Sequence, residues 1–363
     1  MSNIEQYYNH DNTTLIFDDD FNHPIENIEF HKDLQEIIFG YNFDQPIENI
    51  KFPDLVQSIK LGRKFNKPIE KIIFPKNLKF LDLGYEFDQP IENIVFPDSL
   101  ESIKISACFD QPIEKIKLPS NLRILNFGYN LDKPISQIKL PDKLEELNFG
   151  NCIESIDNII FPDSLKIIDF GNCFNDPITK IKFPENITSI TFGKRFNQPI
   201  DNIKFLKALQ EIHFGCKFNK ADSYETEFNQ SIEPLKYLHN LKFVTLSYNL
   251  NQSLYHLPHS IENLHISNLN NFSEIPESIT NISYSCTPYD PSINCLSNRI
   301  TEITIIHYSM YECKPITNLP SSIKKIILYG DPILKKITKI PYGCLIVDRY
   351  NRELKIENEM KWI

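Results

Sequence analysis

The sequence predicts a mostly β solenoid, built from turns of about 22 residues with short parallel strands on two sides. Three observations predict it. The stretch Phe87-Asp88-Gln89-Pro90-Ile91-Glu92-Asn93-Ile94-Val95-Phe96-Pro97 has close copies beginning at Phe21, Phe43, Phe65, Phe109, Leu131, Phe174 and Phe196, most successive starts being 22 residues apart. Each copy holds two apolar-x-x-apolar-x-apolar units, such as Ile47–Phe52 and Leu100–Ile105, whose last three residues alternate as a half-buried strand does. Turn residues recur in register. Eight of the ten glycines form one column, at 40, 62, 84, 128, 150, 171, 193 and 215, directly after the second strand. There a close backbone approach would exclude a side chain. Two proline columns, one from Pro24 to Pro199 and one from Pro53 to Pro184, belong at corners, because proline cannot donate to a strand ladder.

Taken in order, residues 1–20 read as a partial first turn or cap, polar until the strand-like Leu15-Ile16-Phe17. Residues 21–217 are the regular array. From 218 to 284 the repeats decay, with a polar loop inserted near 218–228 between Phe218-Asn-Lys and Phe228-Asn-Gln. Residues 285–344 continue as irregular turns, with an insertion near Ser285–Asn298. Residues 345–363, which include the only tryptophan, Trp362, read as a C-terminal cap, since a solenoid needs its last open face covered. At about 4.8 Å per stacked strand, a dozen turns would extend roughly 60 Å.

Composition narrows the function. In 363 residues, 41% hydrophobic and 24% charged, the balance is that of an ordered chain. A net charge of −10 argues against a general nucleic-acid or acidic-membrane surface. No apolar run reaches membrane-spanning length, and Met1–Asp20 lacks a basic start followed by an apolar stretch. The expectation is therefore a soluble, intracellular, cytoplasmic chain with reduced thiols.

Candidate chemistry resolves into architecture. Cys108, Cys152 and Cys173 fall at one ladder position and read as buried thiols; no Cys-x-x-Cys pair offers a zinc site, and Cys216 is expected to be more exposed. His256 and His259 lack a third ligand nearby, and His213 and His265, in one outward column with Thr245 between them, read as solvated. Glu26, Glu48, Glu70, Glu92 and Glu114 stack as a like-charge row that must stay solvated, with the amides and ammonium groups of the adjacent column, from Asn27 to Lys115, to offset it. Lys60, Arg63, Lys64 and Lys104 cluster, with Asp82 between them. Nucleophile elbow, phosphate loop and dinucleotide fingerprint are all missing from the sequence. The reading is non-enzymatic, without cofactor, metal or catalytic residues.

What remains is the outward side of the second strands. One column runs Ile38, Lys60, Asp82, Lys104, Asn126, Asn148, Asp169, Thr191, His213, Thr245, His265, and its neighbour includes Phe80, Ile124 and Ile167. Tyr41, Tyr85, Tyr129 and Tyr248 stand just beyond the strands. Variable residues on a fixed scaffold, with Tyr41, Phe80, Tyr85, Ile124, Tyr129 and Tyr248 as anchors, suggest a surface for an unknown protein partner. The plain structural alternative is that these aromatics pack on one another along the sheet.

Phe-Asn/Asp-x-Pro-Ile every 22 residues, as in Phe65-Asn66-Lys67-Pro68-Ile69 and Phe196-Asn197-Gln198-Pro199-Ile200, resembles the FNIP repeat family, strongly over 21–217 and weakly over 218–284. Leu122-x-x-Leu125-x-Phe127-Gly-Tyr-Asn130 follows the related leucine-rich pattern, so the resemblance implies a leucine-rich-repeat-like solenoid. The family is associated with social amoebae and large DNA viruses of amoebae, which would place a viral chain inside the host cell. Its repeats often follow an F-box, which would make the array the substrate-recognition part of a ubiquitin-ligase adaptor. Only about twenty residues precede Phe21, without a helical pattern, so that role is not carried over and ligase components stay an alternative partner. A further alternative is carbohydrate binding or catalysis in the irregular region Cys286–Cys313, using groups such as Tyr289, Asp290, His307 and Tyr308.

Overall fold

The structure is a computed structural model that describes residues 4–129, 135, 138–150, 156, 159–215, 226–266, 275–286, 296–307, 315–317, 319–329, 337–354 and 361–362, the side chains of 285–286, 307 and 361–362 excepted. The inserted loop near 218–228, apart from its last residues, and Asn130, Cys152, Cys216, Tyr289, Asp290, Cys295, Tyr308 and Cys313 lie outside the described residues. Two compact units divide the chain, Met1–Asp176 with Lys180–Ile187 and Pro177–Thr179 with Thr188–Ile363.

In the first unit, eight three-residue strands pair in chain order and in parallel. They are β1 (Thr14–Ile16), β2 (Glu36–Ile38), β3 (Ser58–Lys60), β4 (Phe80–Asp82), β5 (Ser102–Lys104), β6 (Ile124–Asn126), β7 (Glu146–Asn148) and β8 (Ile167–Asp169). The register sets equivalent residues side by side, Leu15 with Ile37, Ile59 with Leu81, Leu125 with Leu147. Each middle residue is buried, while the first and third stay half-exposed in most strands. Burying one such leucine or isoleucine stabilises by about 1.5–3 kcal/mol.

Among the described residues of the first unit, the second set of strands expected across from this ladder does not form. There the Ile-Glu-Asn-Ile segments make single turns. The N–H of Ile50 donates to the Ile47 carbonyl, Ile72 to Ile69, Ile94 to Ile91 and Ile116 to Ile113, at 3.1–3.3 Å. The reason is spacing. Residues three apart point to opposite faces of a strand, whereas one turn aims both inward, and Ile47, Ile50, Ile91 and Ile94 are all buried. In the second unit the corresponding segments tighten into 3₁₀ helices at Asp201–Phe205, Glu233–Tyr237 and Leu254–His256.

Each motif residue has a visible task. The opening phenylalanines stack ring on ring: Phe43 on Phe65 at 6.2 Å, Phe65 on Phe87 at 6.1 Å and Phe87 on Phe109 at 6.5 Å. The Asn or Asp that follows forms a second ladder, its Oδ1 accepting the backbone N–H of its counterpart one turn on. Asn22 accepts from Asp44, Asp44 from Asn66, Asn66 from Asp88 and Asp88 from Asp110, at 2.9–3.0 Å. The glycine column is where turns touch backbone to backbone. A Cβ on Gly128 would lie 1.5 Å from the Ser106 carbonyl oxygen, and one on Gly84, at φ +82°, would lie 2.3 Å from that of Gly62. The outward glutamate row also finds donors: Glu48 accepts from the Lys71 N–H and Glu70 from the Asn93 amide.

In the second unit β9 (Ser189–Thr191), β10 (Glu211–His213), β11 (Phe243–Thr245), β12 (Asn263–Ile266), β13 (Asn281–Cys286), β14 (Glu302–His307) and β15 (Lys325–Tyr329) continue the same parallel order. After β16 (Lys339–Ile340), β17 (Leu345–Asp348) adds to β15, and β16 pairs in parallel with β18 (Lys361–Trp362). Apart from the β1–β15 and β17 ladder, a parallel bridge also joins Ile316 to Ile337.

One expectation is corrected here. His213 and His265, read as solvated, are buried, as are Thr191 and Thr245 of the same outward column. Stacking covers them: the His213 ring lies 5.3 Å from that of Phe243, and its Nδ1 is 2.8 Å from the Thr245 hydroxyl. Burial, reinforced by the nearby His213, pushes the His265 imidazole down to about 3. Cys108 and Cys173, read as buried, are only partly so.

Candidate functional site

The exposed edge of the β1–β8 ladder in the first unit carries the residues that packing does not consume. The residue after each glycine position forms the column Tyr41, Arg63, Tyr85, Ala107, Tyr129 at one residue per turn, in which Ala107 is buried and the other four are exposed. Tyr41, Tyr85 and Tyr129 remain 43%, 40% and 49% exposed, high for large aromatics in a chain whose phenylalanines are mostly buried. The Arg63 guanidinium lies between two of them, 4.0 Å from the Tyr85 ring centroid and 5.4 Å from that of Tyr41, and Lys64 adds a contact at 5.8 Å to Tyr41. The aromatics thus pack along the sheet only where a cation separates them.

Above Ala107 no described side chain fills the equivalent gap. A cavity of about 330 Å³ opens there, walled by Tyr85 and Tyr129 and bordered by Arg63, Asp82 and Lys104. Asp82 accepts the Gly84 N–H at 2.9 Å through Oδ1 and the Lys104 ammonium at 2.8 Å through Oδ2. The basic cluster read from the sequence is spent internally. Lys60 pairs with Glu36 at 2.8 Å and Lys104 with Asp82, while Arg63 and Lys64 stack on tyrosines.

A second groove, of about 350 Å³, runs along the first strand positions, where Phe80, Ile124 and Ile167 alternate with Ser102 and Glu146. Its rim is ionic. Glu145 accepts Arg123 Nη2 at 2.6 Å and Lys166 Nζ at 2.9 Å, and the Lys166 and Arg123 bonds hold its carboxyl below the usual range. Phe80 and Ile124 therefore line one groove, Tyr85 and Tyr129 the other, and Tyr41 borders Arg63. Tyr248 belongs to the second unit and lines neither groove; its N–H donates to Thr226 Oγ1 at 2.7 Å. Arg63 and Ala107 were missed as site residues. Their column is legible, but an alanine reads as filler until the depth beside it is seen.

No group of three or more histidine, cysteine or acidic side chains is placed to hold a metal ion among the described residues. His259 is exposed and His256 half-buried. Among those residues, no helix is long and apolar enough to cross a membrane.

A parallel ladder of short strands, with turns on its other side and one repeat every 22 residues, defines a leucine-rich-repeat-like solenoid. The chain is an FNIP repeat protein: residues 21–64, 65–108, 109–152 and 174–217 match the FNIP Repeat family. Among solved structures it is similar to CroV588, a circular leucine-rich-repeat protein from a giant virus, at 27% identity and a TM-score of 0.61. That likeness covers 96% of this chain and 55% of CroV588, so the chain spans about half of that protein's length. An internalin, InlF of Listeria monocytogenes, is 12% identical with a TM-score of 0.47, over 92% of this chain and 86% of that one. TLR13, solved as a complex with ssRNA13, is 12% identical with a TM-score of 0.44, over 90% and 58%. The last two likenesses are too distant to bear on function. Among curated proteins, none matches this chain in sequence.

Proposed function

We propose that the exposed strand face of the first unit is a non-enzymatic protein-recognition surface, anchored by Tyr41, Phe80, Tyr85, Ile124 and Tyr129. The leucine-rich-repeat-like fold is typical of protein-interaction scaffolds. The observation that carries the reading is the pair of grooves on a rigid ladder, both walled by aromatic or aliphatic side chains that the core does not use. Tyrosine and phenylalanine supply much contact area at a modest entropy cost, and binding energy concentrates on such anchors. Glu36, Asp82 and Glu145 on this face are held in ion pairs with lysine or arginine.

The test is affinity capture from the native cell. Wild type is compared with a variant carrying alanine at Tyr41, Phe80, Tyr85 and Tyr129, once circular dichroism shows that both are folded. Proteins retained by wild type and lost by the variant are the expected result. Identical partner sets for the two baits would remove this face as the recognition surface.

A further inference from the structure

We propose that the gap between Tyr85 and Tyr129 receives an arginine side chain of a protein partner, its guanidinium stacked over Ala107. The proposal deepens the recognition reading above and rests on it. The chain contains its own template. Turns stack about 4.8 Å apart, so tyrosines two turns apart leave room for one flat group between their faces. In the Tyr41–Tyr85 gap that group is Arg63, in contact with both rings. The Tyr85–Tyr129 gap has the same spacing, and its intervening residue, Ala107, stops at Cβ. The space that Arg63 fills in one gap is open in the next.

Charge and shape select among flat groups. Asp82 lines the open gap with its side chain only 16% exposed and bonded to the Gly84 N–H, so the carboxylate is held in place. Its present ionic partner, Lys104, is 54% exposed and tethered by a flexible stem. An incoming guanidinium would stack on the tyrosines and reach Asp82 with its planar fork, whereas an ammonium can do only the second well. Arg63 and Lys104 also line this cavity, so a guanidinium is favoured there by stacking between the two rings and by the Asp82 acceptor, not by the net charge of the lining.

The test uses the full chain with its tyrosine rings isotopically labelled, titrated with the peptides Gly-Arg-Gly, Gly-Lys-Gly, Gly-citrulline-Gly and Gly-Phe-Gly and followed by NMR. Citrulline keeps the planar shape of arginine and removes its charge. The expected result is saturating shifts of the Tyr85 and Tyr129 resonances with the arginine peptide, at a dissociation constant of about 1–10 mM and at least about tenfold tighter than for the other three. Ala107→Arg, which fills the gap as Arg63 fills its neighbour, is expected to abolish the shifts. Should that variant fold poorly, Asp82→Asn keeps the acceptor for Gly84 and is expected to erase the preference for arginine over citrulline. Equal binding of citrulline, tighter binding of phenylalanine, or no shift at either tyrosine would overturn the proposal. A failed titration beside a successful capture comparison removes the arginine and leaves the recognition surface. Failure of the capture comparison removes both.

Discussion

Asn66 shows how much one side chain carries in a repeat. Its Oδ1 accepts the Asp88 N–H at 3.0 Å and the Gln89 amide at 2.9 Å, both from the following turn. Asn22 does the same for Asp44 and Gln45, and Asp88 for Asp110 and Gln111. The ladder needs a short side chain ending in an oxygen, which both Asn and Asp provide. Asn66→Ala is therefore expected to cost about 1–2 kcal/mol, since it leaves the Asp88 donor without its acceptor, while Asn66→Asp should cost much less. Urea unfolding of the two variants checks this, and equal midpoints would show that the ladder contributes nothing.

At the scale of an element, one strand position changes character between units. Its occupants Lys60 and Lys104 in β3 and β5 are partly or well exposed; His213 and His265 in β10 and β12 are buried. His265 therefore makes the second unit sensitive to acid. Its folded value of about 3 lies below the ordinary 6.5, so below pH 6.5 the unfolded chain binds a proton that the folded one refuses. The associated stability is fully present above pH 6.5 and falls with acidification by about 1.4 kcal/mol per pH unit until the folded value is reached. His265→Leu is expected to flatten that part of the pH profile. Thermal unfolding from pH 7 to pH 4 measures it, and parallel profiles for variant and wild type would refute the assignment.

At the scale of the molecule, stability in a solenoid is carried by contacts between neighbouring turns. Gly128→Ala places a methyl group against the Ser106 carbonyl, a contact that cannot be relieved by rotating a side chain. The expected loss is above about 3 kcal/mol, in the range of severe backbone clashes. Hydrogen exchange should show lost protection centred on β5, β6 and β7, with β11–β15 in the other unit keeping theirs. Uniform loss across both units would mean that the whole chain unfolds as one cooperative block.

The repeat, the parallel order of the strands, the buried middle residues and the backbone contact at the glycine column were all legible in the sequence, because each depends on a residue type recurring at a fixed interval. So was the exposed tyrosine column, since its position relative to the glycines sets which way it points. Three features needed the tertiary structure. The Ile-x-x-Ile segments became turns because proline corners and a spacing of three favour aiming both side chains inward. The His213–His265 column became buried because covering depends on what stacks beside a residue, not on its own polarity. The gap over Ala107 exists because two aromatic walls stand two turns apart, a depth that one residue in one turn cannot reveal.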